Sequence, residues 1–133
     1  MASPEGTLTP AQHEILEVIW NAPDIGATVT EIWQAICKKR QLTRTTVLNQ
    51  VDRLEKRGWL KRRKHPDGFR YVASQTRERV AGGLTDEFVD SFFGGSASDL
   101  VMSLFGSKKL KPADVARLRA LLEARSSKGN PKA

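Results

Sequence analysis

Three helix-start signals followed by a turn restrict the fold of this chain more tightly than any other feature. Leu8-Thr9-Pro10-Ala11-Gln12 opens the first helix: Thr9 can cap, Pro10 suits the first helical position, and Gln12 completes a capping box. Ile15, Leu16 and Ile19 then form an apolar stripe to about Trp20, and Asn21-Ala22-Pro23-Asp24 breaks it. Thr28-Val29-Thr30-Glu31 is a second capping box, leading into Ile32, Trp33, Ile36 and Cys37. After a short Gln41-Leu42 connection, Thr43 caps a third helix, RTTVLNQVDRLEKRG, which Gly58 stops. The pattern then changes. Residues 59–64 and 69–72 are segments of strand length, and between them His65-Pro66-Asp67-Gly68 supplies strong turn chemistry. Three short helices and then a hairpin are the order of a winged helix-turn-helix.

The second half reads differently. Residues 76–93 have the pattern of a longer helix with Val80, Leu84, Phe88, Val89 and Phe92 as apolar positions. Gly82-Gly83 in its middle costs about 1 kcal/mol per glycine relative to alanine, which favours a kink or a late start. Gly94-Gly95 ends it, Ser96 caps a short helix with Asp99 at its third position, and Pro112 begins a last helix carrying Val115, Leu118, Leu121 and Leu122. The expected fold class is mainly α with a small β-hairpin wing: a winged helix-turn-helix at 8–75, then a helical dimerisation region at 76–125. Residues 1–7 and 126–133 are expected as flexible termini.

Charge says what such a fold would meet. The formal net charge is +7, and it is unevenly placed. Residues 1–37 hold five acids and no Lys or Arg, whereas residues 38–70 hold twelve basic residues against three acids. Residues 71–105 return to five acids against two bases, and residues 106–133 carry eight bases against two acids. A basic block beside acidic ones is the footprint of phosphate-backbone binding. No apolar run approaches a membrane span and the N-terminus has no signal-peptide core, so no membrane insertion is expected and the protein is expected in the cytoplasm.

The third helix carries the functional pattern. Val47, Val51 and Leu54 form its inward stripe, and Thr46, Asn49, Gln50, Arg53 and Arg57 face the other way. Hydroxyl, amide and guanidinium groups on one face are the types that read base edges or clamp phosphates. Arg44 and Thr45 sit at the end that enters the groove in helix-turn-helix docking. Thr45, Thr46, Asn49 and Gln50 are assigned to base readout, Arg44 to bases or phosphate, and Arg53 and Arg57 to the backbone. In the hairpin, Arg62, Arg63, Lys64 and Arg70 cluster near the turn and suit phosphate contacts.

One such domain binds weakly, so a homodimer on a palindromic operator is expected, with Leu84, Phe88, Val89, Phe92, Leu100, Val101, Leu104, Leu118, Leu121 and Leu122 forming its interface. Cys37 reads as a buried structural thiol rather than a redox sensor, His65 as a turn residue, and His13 as a surface residue without partners. No metal-ligand cluster, Walker loop or nucleophile elbow is present, so no cofactor, metal or catalytic site is expected. Two other readings share the fold. A ligand-responsive regulator would need convergent polar groups around a pocket, and a protein-interaction module would need an apolar third-helix face.

The segments LTPAQHEILEVIWN, TRTTVLNQVDRLEKRGWLKRRKHPDGFRYVAS and FVDSFFGGSASDLVMSLFGSKKLKPADVARLRALLE resemble the penicillinase and methicillin-resistance repressors, the BlaI/MecI family, over roughly residues 8–125. The resemblance implies a homodimeric repressor of antibiotic or stress-response operons. It also implies a membrane-bound metalloprotease sensor as partner, with relief of repression by cleavage in the dimerisation region. By alignment of DLVMSLFGS the cleaved bond is Ser103-Leu104, where the family pattern has asparagine before an apolar residue. Copper-responsive relatives carry a C-terminal cysteine cluster that this chain lacks.

Overall fold

Each capping signal starts a helix where expected. Thr9 Oγ1 accepts the Gln12 amide at 3.1 Å while the Gln12 side chain accepts the Thr9 amide at 3.1 Å, and α1 runs Pro10–Trp20. Thr28 and Glu31 repeat the reciprocal pair at 3.1 and 3.0 Å to start α2, Val29–Cys37. Thr43 Oγ1 accepts the Thr46 amide at 3.1 Å and opens α3, Arg44–Lys56. The computed structural model describes residues 4–127. After α3 come the strands β1 (Leu60–His65) and β2 (Gly68–Ala73), then α4 (Arg77–Phe92), α5 (Ala97–Phe105) and α6 (Pro112–Ser127).

The chain parts into two compact units, one ending at Gly82 and one beginning at Gly83. In the first, Ile15, Leu16 and Ile19 from α1, Ile32 and Ile36 from α2, and Val47, Val51 and Leu54 from α3 are buried together with Leu60 and Tyr71 of the hairpin. The three periodic stripes therefore become one core beneath the hairpin base. α3 ends in a Schellman turn: the Gly58 amide donates to Glu55 O at 3.0 Å and the Trp59 amide to Leu54 O at 2.9 Å, with Gly58 at φ +85°. This use of Trp59 explains why β1 begins one residue later than the sequence pattern suggests.

β1 and β2 pair antiparallel from Leu60↔Ala73 to His65↔Gly68, leaving Pro66-Asp67 as the turn. The structure adds a pairing that no local signal announces. Ala27 bridges Tyr71, its amide donating to Tyr71 O at 3.1 Å and the Tyr71 amide donating back at 2.8 Å. Gly26 makes this approach feasible, because it sits at φ +91° and a Cβ there would collide with the Tyr71 carbonyl.

Other expectations are corrected here. His13 has a partner: its ring meets Trp20 edge-on at 5.7 Å. Trp20 in turn donates to Gln75 O at 3.0 Å, and the Arg77 guanidinium lies 5.6 Å from its ring while pairing with Glu17 at 3.0 Å. Cys37 is half-buried rather than buried, with its Sγ 3.5 Å from Leu42 O. Residues 4–7 are held rather than loose, because Glu5 and Thr7 carbonyls accept from Arg57 and Trp59. α4 is a helix from Arg77 onward, and its ladder runs through Gly82-Gly83. α6 continues to Ser127, while residues 1–3 and 128–133, expected as parts of flexible termini, lie outside the described residues.

The second unit is built from the later turns of α4 with α5 and α6. Ser96 caps α5 by accepting the Asp99 amide at 3.2 Å. Among the described residues no helix is long and apolar enough to cross a membrane.

Candidate nucleic-acid interface

With Val47, Val51 and Leu54 turned into the core, the remaining surface of α3 is fixed by the helical period. Thr45, Thr46, Asn49 and Arg53 are exposed on it, and Gln50 is half-buried. Thr45, Asn49 and Arg53 have no partner among the described residues and are free to engage another molecule. Thr46 Oγ1 lies 2.9 Å from Thr43 Oγ1, inside the cap. Arg44 is exposed but steadied, its Nε donating to Thr30 Oγ1 at 2.8 Å. The turn ahead of α3 is pinned by Trp33, whose indole donates to Leu42 O at 2.7 Å.

Two further residues of the expected contact set are already engaged. Gln50 Oε1 accepts from Gln12 Nε2 at 3.1 Å, so its amide serves the α1–α3 contact. Arg57 donates to Glu5 O at 2.9 Å and Thr7 O at 2.7 Å, clasping the N-terminal segment. Its charge is near the surface, yet its Nε and both terminal nitrogens already donate within the chain. Leu48 was missed by the sequence reading and is exposed on the same outer face as Asn49. The signal was available, since Leu48 lies outside the Val47/Val51/Leu54 stripe. Lys56, also missed, is exposed and pairs with Asp52 at 3.1 Å.

The hairpin brings a second cationic surface to the same unit. Arg63 and Lys64 are exposed and without partners among the described residues. Arg62 is partly engaged, its Nε 3.6 Å from Glu55 and its guanidinium 4.5 Å from the Phe69 ring centre. Arg70 departs from the expectation altogether. Its side chain is only 12% exposed and pairs with Asp67 and Glu31. The guanidinium hydrogen-bonded to Asp67 holds that carboxyl below the usual carboxylate range, and Asp67 in turn raises Arg70 above its ordinary value. Arg70 is therefore an internal joint, not a surface cation. Burial pushes the Tyr71 phenol up, so it stays neutral in the core.

The second unit presents an apolar surface instead. Phe92 is 72% exposed, Met102 70% and Leu122 68%, and Phe88, Val101, Phe105 and Leu121 are exposed beside them in the sequence pattern. α5 buries no residue. Leu84, Leu100, Leu104 and Leu118 are half-buried. Val89 is corrected: it is buried in the single chain, at 8% exposure, and offers little surface to a partner. Met102 and Phe105 were missed, although both are apolar residues of the short helix that the Ser96 cap announced. Ser103 is exposed in the last turn of α5.

The penicillinase repressor family model matches residues 8–124. Among curated proteins, the methicillin resistance regulatory protein MecI of Mammaliicoccus sciuri is 22% identical over 115 residues, covering 86% of this chain and 92% of the relative. An uncharacterized 16.5 kDa protein from the ptsI 3' region of Latilactobacillus sakei is 21% identical over 127 residues, covering 96% of this chain and 86% of the relative. Among solved structures, the monomeric form of Bacillus licheniformis BlaI in complex with the blaP half-operator is similar at 22% identity with a TM-score of 0.48. That similarity covers 55% of this chain and 87% of the other.

Proposed function

This chain belongs to the penicillinase repressor family of winged-helix, DNA-binding transcriptional repressors, not enzymes, and from that premise we propose that it represses as a homodimer on a palindromic operator in the cytoplasm. The observation that carries the reading is the division of α3 into a fully buried face and a face whose Thr45, Asn49 and Arg53 are exposed and unpartnered. Polar groups left free on a rigid helix can form base contacts without first breaking internal ones. Thr45 and Asn49 read base edges, Leu48 offers an apolar contact to a thymine methyl, and Arg53 holds phosphate. Arg63 and Lys64 supply the wing's phosphate contacts.

Asn49→Ala is expected to reduce discrimination between operator and random duplex by roughly 1–3 kcal/mol, the worth of one bidentate base contact. Competition binding with a selected operator and a scrambled duplex measures this. Unchanged discrimination would show that α3 docks by another face.

The exposed apolar residues of α4, α5 and α6 form the dimer interface in this reading, since many large apolar side chains left facing water mark a partner site. Relief by proteolysis follows from the family likeness. A membrane-bound metalloprotease sensor cutting Ser103-Leu104 would separate the last two residues of α5 and all of α6 from the rest, dividing those apolar residues between two fragments. A chain ending at Ser103 is expected to sediment as a monomer and to release operator. A dimeric, operator-bound truncation would remove cleavage as the release step.

A further inference from the structure

The outer half of the wing has little to hold it. Beyond Leu60 and Tyr71, β1 and β2 expose Lys61, Arg62, Arg63, Lys64 and Phe69, so no apolar core reaches the turn. A two-stranded ribbon without a packed face is marginal in water. Arg63 also stands opposite Arg70 in the ladder, a like-charge pairing that destabilises unless one of the two is neutralised by other partners. Polar contacts must set the direction of the tip: Arg62 reaches Glu55 of α3 at 3.6 Å, and Arg70 reaches further.

The side chain of Arg70 connects three separate segments. Its Nε donates to Asp67 Oδ2 at 3.1 Å and its Nη2 to the same oxygen at 2.5 Å, gripping the turn. Its Nη1 donates to Gly26 O at 3.0 Å, beside the Ala27 bridge, and to Glu31 Oε1 at 3.0 Å. Glu31 Oε1 also accepts the Thr28 amide at 3.0 Å, so the guanidinium is tied to the capping box that begins α2. A planar fork with five donors can serve all three anchors, and an ammonium cannot reproduce that geometry.

We propose that Arg70 is a positioning residue for DNA binding, fixing the wing against the start of α2 through Asp67 and Glu31, so that these two acids strengthen binding to a polyanion. The lock rests on the DNA-binding reading and makes a prediction opposite in sign to simple electrostatics. Removing an acid near the cationic wing should tighten binding if charge alone acts. If the lock acts, the same change lets Arg63 and Lys64 wander and weakens binding.

The test uses the intact chain and a duplex selected from a random-sequence pool by the unaltered protein. That selection by itself decides the DNA-binding reading, and comparison of variants then decides the lock. Asp67→Asn and Glu31→Gln are measured with Arg70→Lys, at a temperature where circular dichroism shows each as helical as the unaltered chain. Gln at 31 keeps an oxygen for the Thr28 amide, so the cap survives. Each variant is expected to bind on the order of three- to tenfold more weakly, the effect of losing one or two phosphate contacts at moderate salt. Lysine would preserve a simple phosphate contact, so loss in Arg70→Lys separates the lock from direct binding. Equal or tighter binding by Asp67→Asn and Glu31→Gln, or full retention by Arg70→Lys, would overturn the proposal.

Discussion

Phe92→Glu is expected to convert the protein to a monomer and lower its operator affinity by about 10²- to 10⁴-fold, the range by which linking two readers exceeds either alone. Phe92 is 72% exposed in the single chain and stacks on Phe88 with ring centres 5.0 Å apart. A carboxylate there costs the isolated chain little, because the position already faces water. Across the proposed two-fold interface the same change places unpaired charges in a desolvated surface, and an unpaired buried charge is strongly destabilising. Each recognition helix remains intact, so binding to a half-site is retained while cooperative binding to the palindrome is lost. Analytical ultracentrifugation with parallel operator titrations reads both effects. A variant that remained dimeric would move the interface off the α4 face.

The second large effect is on stability. Leu54→Ala is expected to cost about 2–5 kcal/mol, the usual range for truncating a fully buried leucine. Leu54 is 0% exposed, and its carbonyl accepts the Trp59 amide that closes α3. The cavity would open where α3, α2 and the hairpin base share one core. Small domains total only about 5–15 kcal/mol of stability, so this single change removes a large share. At about 4–8 °C per kcal/mol for a unit of this size, the melting point should fall by on the order of 10 °C or more. Leu48→Ala, six residues earlier on the exposed face, is the control and should scarcely move it. Equal losses in the two variants would mean that α3 is turned differently from the arrangement described.

Those two leucines also show which parts of the molecule were legible in its sequence. Val47, Val51 and Leu54 repeat at helical spacing, so the inward face of α3 can be read without coordinates. Thr9, Thr28 and Thr43 were equally legible because a cap is a local event, complete within four residues. The hairpin turn at Pro66-Asp67 is local too. Arg57 and Arg70 were misread for the opposite reason. Composition identifies them as cations, but their partners stand far away in the chain: Glu5 for Arg57, Glu31 for Arg70. The same distance hid the Ala27–Tyr71 bridge and the docking of residues 4–7. Val89 reads as an interface residue because periodicity names the apolar face of a helix without saying how much of it is covered. Of the expected contact residues, Thr45, Asn49, Arg53, Arg63 and Lys64 stand exposed and without partners among the described residues, while Gln50, Arg57 and Arg70 hold contacts within the chain.

Genomic-fragment selection with purified protein, followed by titration of the recovered fragment at two salt concentrations, tests the central claim most directly. The account predicts a palindrome bound by two chains, with affinity falling steeply as salt rises because several phosphates are neutralised by Arg and Lys. Weak binding without sequence preference, or binding indifferent to salt, would contradict it and leave the exposed faces of α3 and the wing to some partner other than DNA.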